Sequence, residues 1–127
     1  MTFKLSQRSI DRLSGVHPDL VRVVELAITK TPIDFGITEG LRSKERQAVL
    51  MAKGATKTMN SRHLTGHAID FVCYINGEVN WEFPNYKTVS DAFKQAAYEL
   101  KIPIIWGGDW TSFRDGPHVE LNRKVYP

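Results

Sequence analysis

Two short segments hold the residues that could do chemistry: Ser61-Arg62-His63-Leu64-Thr65-Gly66-His67-Ala68-Ile69-Asp70 and, further on, Asp115-Gly116-Pro117-His118-Val119-Glu120. Two imidazoles and a carboxylate from these segments can make a three-ligand metal site that leaves a fourth position open. That is the ligand count of a catalytic zinc rather than a structural one. A structural site in so small a domain would more readily use paired cysteines, and the chain has only Cys73. The residue types point to metal-assisted hydrolysis.

Convergence on one ion places demands on the backbone. His63 precedes an apolar run and Asp70 lies inside it, so the two meet only if the chain bends near Gly66, whose missing Cβ permits it. Asp70 is also a carboxylate between Ile69 and Phe71, where an uncompensated buried charge is too costly to persist. A cation removes the problem. So does an arginine partner, with His63 then a hydrogen-bonded loop residue, and the residues alone leave both readings open.

The positioning elements follow from periodicity and punctuation. The stretch 17–30 has apolar residues at 20, 23, 24, 27 and 28 with Pro18 and Asp19 in the first turn, which predicts a helix. Residues 34–42 alternate with period two and form a strand ending at Arg42. Ser43 is a good N-cap for a helix through Lys53, with Gly54 as its left-handed terminator. A polar loop over 55–62 delivers the chain to His63. Residues 68–75 form a buried strand, Asn76-Gly77 a two-residue hairpin turn, and 78–81 the start of the return strand. Helical spacing of Val89, Ala92, Phe93, Ala96, Ala97 and Leu100 predicts a third helix over about 86–100. Short strands at 104–106 and 118–121 flank a loop rich in glycine and aspartate. The order predicts an α+β fold, a central, mainly antiparallel sheet packed with about three helices.

Composition bounds the rest. At 127 residues the chain is long enough for one compact core, so a single domain over 1–127 without a separate binding module is expected. One cysteine forms no internal disulfide, and Cys73 in its apolar run is expected to be a buried, inert thiol. The N-terminus has no continuous apolar segment of the signal-peptide kind, and no run is long enough to span a membrane. A net charge of +3 favours encounter with polyanions, but the basic residues are scattered and form no aromatic-interleaved stripe. Anionic cell-wall polymers therefore fit at least as well as DNA.

The pattern Ser-x-His-x-x-Gly-x-Ala-x-Asp at 61–70, with Asp-x-x-His-x-Glu at 115–120, resembles that of the zinc D-Ala-D-Ala carboxypeptidase and dipeptidase superfamily. Within it the chain is most similar to the bacteriophage L-alanyl-D-glutamate peptidase endolysins. Gly40-Leu41-Arg42, the 61–70 motif, Tyr74-Ile75-Asn76-Gly77, Gly108-Asp109-Trp110 and His118-Val119-Glu120-Leu121 occur in matching order along nearly the whole chain. The resemblance implies a D-Ala-D-Ala carboxypeptidase/Hedgehog-like fold and a Zn2+ held by His63, Asp70 and His118. It also implies Asp115 as general base, activating water and protonating the leaving amine. It places Arg42 against the substrate or the developing oxyanion.

Other positions carry open expectations. Ser61 touches substrate or is a structural loop serine. Glu120 shares a strand face with His118 and is expected to orient that ligand. Asp109 is a turn residue or helps orient a histidine. Trp106 and Trp110 wall the cleft or belong to the core, with Trp110 placed against the substrate. His67 sits at a variable motif position and His17 at a helix start, so neither is expected to ligate. The stretch 111–117 is too short, and too poor in carboxylates, for the calcium-binding insertion of some family members.

The function implied is that of an endolysin hydrolysing the L-alanyl-D-glutamate bond of peptidoglycan stem peptides and lysing the host. The protein would be a monomer kept in the host cytoplasm, without stable membrane association or nucleic-acid partner, and would reach the wall through a separate holin-type protein. Two alternatives share these residues: the same chemistry on a D-Ala-D-Ala terminus, and a non-catalytic wall-binding module braced by the metal.

Overall fold

The structure, a computed structural model, describes residues 2–55, 61–111 and 114–127. Within them the chain forms α1 (Gln7–Arg12), α2 (Pro18–Lys30), β1 (Asp34–Glu39), α3 (Lys44–Ala52), a 3-10 turn (Arg62–Thr65), β2 (Ala68–Ile75) and β3 (Glu78–Asn80). There follow α4 (Phe83–Leu100), β4 (Ile104–Trp106), a second 3-10 turn (Gly107–Asp109) and β5 (His118–Leu121). This is the α+β class expected, and the strand pairings described are all antiparallel. The expected loop over 55–62 lies largely outside the described residues.

Local chemistry sets the helix ends. The Nδ1 of His17 accepts from the Asp19 N–H at 3.1 Å and opens α2. The Ser43 hydroxyl accepts from the Arg46 N–H at 3.0 Å and opens α3. Such caps contribute about 1 kcal/mol each. Helix α4 starts ahead of its apolar periodicity because Pro84 lies in its first turn, where a missing N–H costs nothing. A fourth helix, α1, was not foreseen: Ser6 caps it through the Ser9 N–H at 3.1 Å, and its six residues are too few to display a period.

The strands run in the order β1-β2-β5-β4, with β3 also on β2. Phe35 and Ile37 of β1, Ile69, Phe71 and Cys73 of β2, and Val119 and Leu121 of β5 enter one core with Leu20, Val23, Val24, Ala27 and Ile28 of α2 and Val89, Phe93, Ala96 and Ala97 of α4. Alternation then assigns Asp70, His118 and Glu120 to the other face. Strand β1 ends at Glu39 instead of continuing to Arg42, because the register shifts between Ile37 and Glu39. The irregularity places Glu39, rather than Thr38, opposite Asp70, the kind of re-aiming that bulges provide beside functional sites.

Phe93 is fully buried, with its ring centroid 5.0 Å from Phe35 and 5.2 Å from Phe71. Phe93→Ala is expected to cost about 3–5 kcal/mol by urea unfolding, whereas truncation of exposed Tyr98 on the same helix should change stability by less than about 0.5 kcal/mol.

Candidate metal centre

His63 is delivered by a tightly braced turn. The Ser61 hydroxyl accepts from the His63 N–H at 3.2 Å and starts the 3-10 turn, and Gly66 ends it in the left-handed region at φ 76°. A Cβ on Gly66 would come within 2.5 Å of the Gly15 carbonyl oxygen, so glycine is required there by conformation and by space. The Arg42 N–H donates to the His63 carbonyl and the His17 N–H to the Gly66 carbonyl, both at 2.8 Å. The bend expected at Gly66 is thereby fixed from two sides.

His118 arrives by strand register, with Asp70 directly opposite it across the β2–β5 pair. The preceding loop lies against Gly107, whose carbonyl accepts from the Asp115 N–H at 3.0 Å. A Cβ on Gly107 would fall 2.4 Å from the Asp115 carbonyl oxygen and 3.0 Å from the His118 Cβ.

The result is a compact cluster of His63, Asp70 and His118, with ligand atoms all within 4.8 Å of one another. Asp70 Oδ1 lies 3.2 Å from His63 Nε2 and 3.4 Å from His118 Nδ1. Each ring's other nitrogen is taken: His63 Nδ1 donates to the Gly40 carbonyl at 2.9 Å, and His118 Nε2 donates to Glu120 Oε1 at 2.9 Å. Both acceptors are oxygens without a proton, so they fix the tautomers, and the neutral rings aim lone pairs at a carboxylate. Three electron-rich atoms converging in this way fit a divalent cation.

From protein groups alone, a proton substitutes for that cation. Burial would lower the His118 pKa, but hydrogen bonds to Asp70 and Glu120 outweigh it and raise the value to about 9. Burial would raise Asp70, but hydrogen bonds from His118 and His63 hold it well below the usual carboxylate range.

Arg42 completes the charge balance. Its guanidinium is buried, grips Glu39 through Nε–Oε1 at 2.8 Å and Nη2–Oε2 at 2.9 Å, donates from Nη1 to Gln47 Oε1 at 2.8 Å, and places Nη2 3.6 Å from Asp70 Oδ2. Both open readings of Asp70 therefore hold together: it pairs with an arginine and joins two histidines. Arg42 was expected to face the substrate, yet its three nitrogens are engaged with protein acceptors. Ser61, also expected there, caps the His63 turn and lies 3.5 Å from Arg42 Nη1.

Asp115 lies close enough to the cluster to feel it. Burial and the charge of Asp70 raise its pKa, against the opposing pull of His118, His63 and Arg42. The Trp110 ring sits 5.1 Å from that of His118 and walls the site, while Trp106 is core, its indole N–H donating to the Gly116 carbonyl at 2.7 Å. Glu120 does contact His118. Asp109 does not join the cluster: its exposed carboxylate takes a 2.7 Å bond from Lys94, so the turn reading of Asp109 fits and histidine orientation does not. His67 bonds Thr65 and packs 5.5 Å from His17, away from the ligand atoms.

Three supporting residues escaped the sequence reading. Glu39 and Gln47 hold Arg42, and half-buried Arg62 places Nε 3.8 Å from Glu120 Oε2. The spacing of Glu39 three residues before Arg42 was a usable signal. Nothing local marks Gln47, on a mostly exposed helix, as fully buried.

An α+β sheet carrying a His-Asp-His cluster on the face opposite α2 and α4 defines a protein of the D-Ala-D-Ala carboxypeptidase-like fold with a candidate metal site. Comparison with solved structures agrees: VanXYg, a vancomycin-resistance D,D-dipeptidase, matches 84% of this chain and 50% of its own at a TM-score of 0.56 and 19% identity, a likeness of fold. The L-Ala D-Glu endopeptidase ChiX of Serratia marcescens superposes at a TM-score of 0.92, with 44% identity over 98% of this chain and 94% of its own. The family model for phage L-alanyl-D-glutamate peptidase matches residues 1–126. The L-alanyl-D-glutamate peptidase of Escherichia phage T5 is 37% identical, covering 99% of this chain and 94% of the relative. CwlK of Bacillus subtilis, a peptidoglycan L-alanyl-D-glutamate endopeptidase, is 32% identical over 85% of this chain and 74% of its own. The chain belongs to the phage L-alanyl-D-glutamate peptidase family.

Three outcomes test this geometry. The His118 pKa, raised from its ordinary 6.5 to about 9, gives stabilisation that is complete below about pH 6.5 and lost as pH rises through about 9. The depressed Asp70 gives stabilisation present above its ordinary 3.8 and lost as pH falls toward its folded value. Urea unfolding of metal-stripped protein should thus show stability falling between pH 6.5 and 9.5, and metal binding at pH 7.5 should release about one proton from His118 in a weakly buffered titration. Glu120→Gln should weaken metal affinity about 10- to 100-fold with the fold intact.

Proposed function

We propose that this protein is a zinc-dependent endopeptidase that hydrolyses the L-alanyl-D-glutamate bond of peptidoglycan stem peptides. The observation that carries hydrolysis is the convergence of His63 Nε2, Asp70 and His118 Nδ1 beside Asp115. The choice of bond is supported by the activities for which the phage, Bacillus and Serratia relatives are named.

His63, Asp70 and His118 would hold the ion, and zinc suits two imidazoles and one carboxylate. When bound, zinc supplies Lewis acidity, making water a stronger acid and the L-alanyl carbonyl a better electrophile. Asp115 takes the proton of the attacking water and returns it to the departing D-Glu amine. Its raised pKa brings it nearer the operating range of a general base, an effect that a cation in the cluster offsets. Arg42 acts on Asp70, compensating its charge and fixing its orientation while Glu39 and Gln47 hold the guanidinium still. Trp110 covers the His118 side and excludes water from it.

The proposal extends to host lysis by a monomeric enzyme made in the host cytoplasm, with a holin-type protein opening the way to the wall. Among the described residues, no helix is long and apolar enough to cross a membrane.

Mass spectrometry of digested peptidoglycan should show peptides newly beginning at D-Glu, abolished by chelation and restored by zinc. Loss of terminal D-Ala instead would overturn the bond assignment. Asp115→Asn should lower kcat by about 10²- to 10⁴-fold while metal content stays at the wild-type level. An unchanged kcat would remove Asp115 from the mechanism.

A further inference from the structure

Arg114 is held in place without an acidic partner. Among the described residues, Arg22, Arg42, Arg46, Arg62 and Arg123 each lie within 4.0 Å of a carboxylate oxygen. The Arg114 guanidinium carbon instead lies 4.2 Å from the centre of the Phe83 ring, and its Nε–H donates to the Gly108 carbonyl at 3.2 Å. The ring contact and the Nε bond together restrain the guanidinium. The two terminal nitrogens form no hydrogen bond with any described residue. That end of the fork matches a carboxylate with two parallel donors, and a fork already immobilised loses little entropy on binding.

Its position is equally specific. Arg114 immediately precedes Asp115, and the Phe83 ring that supports it packs 5.5 Å from Trp106 and against Gly116, where an added Cβ would stand 3.6 Å from the ring carbons. The pair therefore forms a lip on the loop that carries Asp115 and leads into His118. Within the cleft the Arg42 guanidinium is already committed to Glu39, Gln47 and Asp70, so an anionic substrate group is received by a cation whose donors are free at the rim.

The stem peptide brings such a group. D-Glu continues the stem through its side-chain carboxyl, so its α-carboxylate stays free and is attached to the carbon that bears the scissile nitrogen. Asp115 returns a proton to that nitrogen, and Arg114 is its covalent neighbour. We propose that Arg114, seated over Phe83, binds the free α-carboxylate of D-Glu and selects for it against the α-amide. The proposal rests on the peptidase reading above and names a specificity determinant within it.

The test uses two synthetic stem peptides that differ only in carrying D-Glu or its α-carboxamide, D-isoglutamine, with zinc-loaded wild-type protein, R114Q, R114K and F83L. Zinc content and circular dichroism serve as controls. Wild type should favour the free acid by about 10- to 100-fold in kcat/KM, the range of a paired, charge-assisted contact. R114Q should lose that preference by raising KM on the acid and leave the amide unchanged, with R114K and F83L between the two. An unchanged KM on the acid, or equal losses on both peptides, would overturn the assignment. If zinc-loaded wild type cleaved neither peptide, the peptidase reading itself would fall and this inference with it; wild-type cleavage with an indifferent R114Q removes the inference alone.

Discussion

A carboxylate set in the middle of an apolar strand governs this molecule. Asp70 lies between Ile69 and Phe71, both fully buried, and its charge is tolerable only if positive charge is brought to it. The chain meets that demand from three directions. The turn closed by Gly66 brings His63, the β2–β5 register brings His118, and the shift in β1 brings Glu39 opposite Asp70, with Arg42 clamped to it. Each is a backbone device, and each would be pointless if Asp70 were a valine.

The same demand explains why the outer partners are so tightly fixed. An imidazole can serve a cation only through a lone pair aimed at it, so the opposite nitrogen must hold the proton. The Gly40 carbonyl does this for His63 and the Glu120 carboxylate for His118. Glu120 is buried as well and needs its own compensation, which Arg62 and Arg123 supply at 3.8 and 3.5 Å. Charge is balanced in successive shells from Asp70 outward, and the metal site is the innermost of them. Breaking an outer contact leaves a buried charge unpaired, so its effect travels to the ligands.

Much of this was legible in the sequence, and the part that was not has a physical reason. Helices α2, α3 and α4 and strand β2 follow from periodicity and capping residues, which are local. Asp70 was conspicuous as a charge in an apolar run, and the roles of His63, His118 and Asp115 came with the family resemblance. The shift after Ile37 was hidden, because alternation up to Arg42 is compatible with an unbroken strand. The burial of Gln47 was hidden too, since its helix is otherwise mostly exposed and no pattern in the sequence shows that its Oε1 accepts from the Arg42 guanidinium. Asp109 stood open between a turn residue and a support for a histidine. Its partner is Lys94 on α4, a pairing that no local pattern encodes.

The account turns on which atoms receive the ion. A crystal structure of the zinc-loaded protein, with the ion located by anomalous scattering, decides it directly. The account requires one peak bonded to His63 Nε2, Asp70 and His118 Nδ1 at about 2.0–2.2 Å, with the Gly40 and Glu120 contacts kept. An ion bound through the opposite ring nitrogens, or bound elsewhere with the His63–Asp70–His118 cluster still bridged by protons, would contradict it.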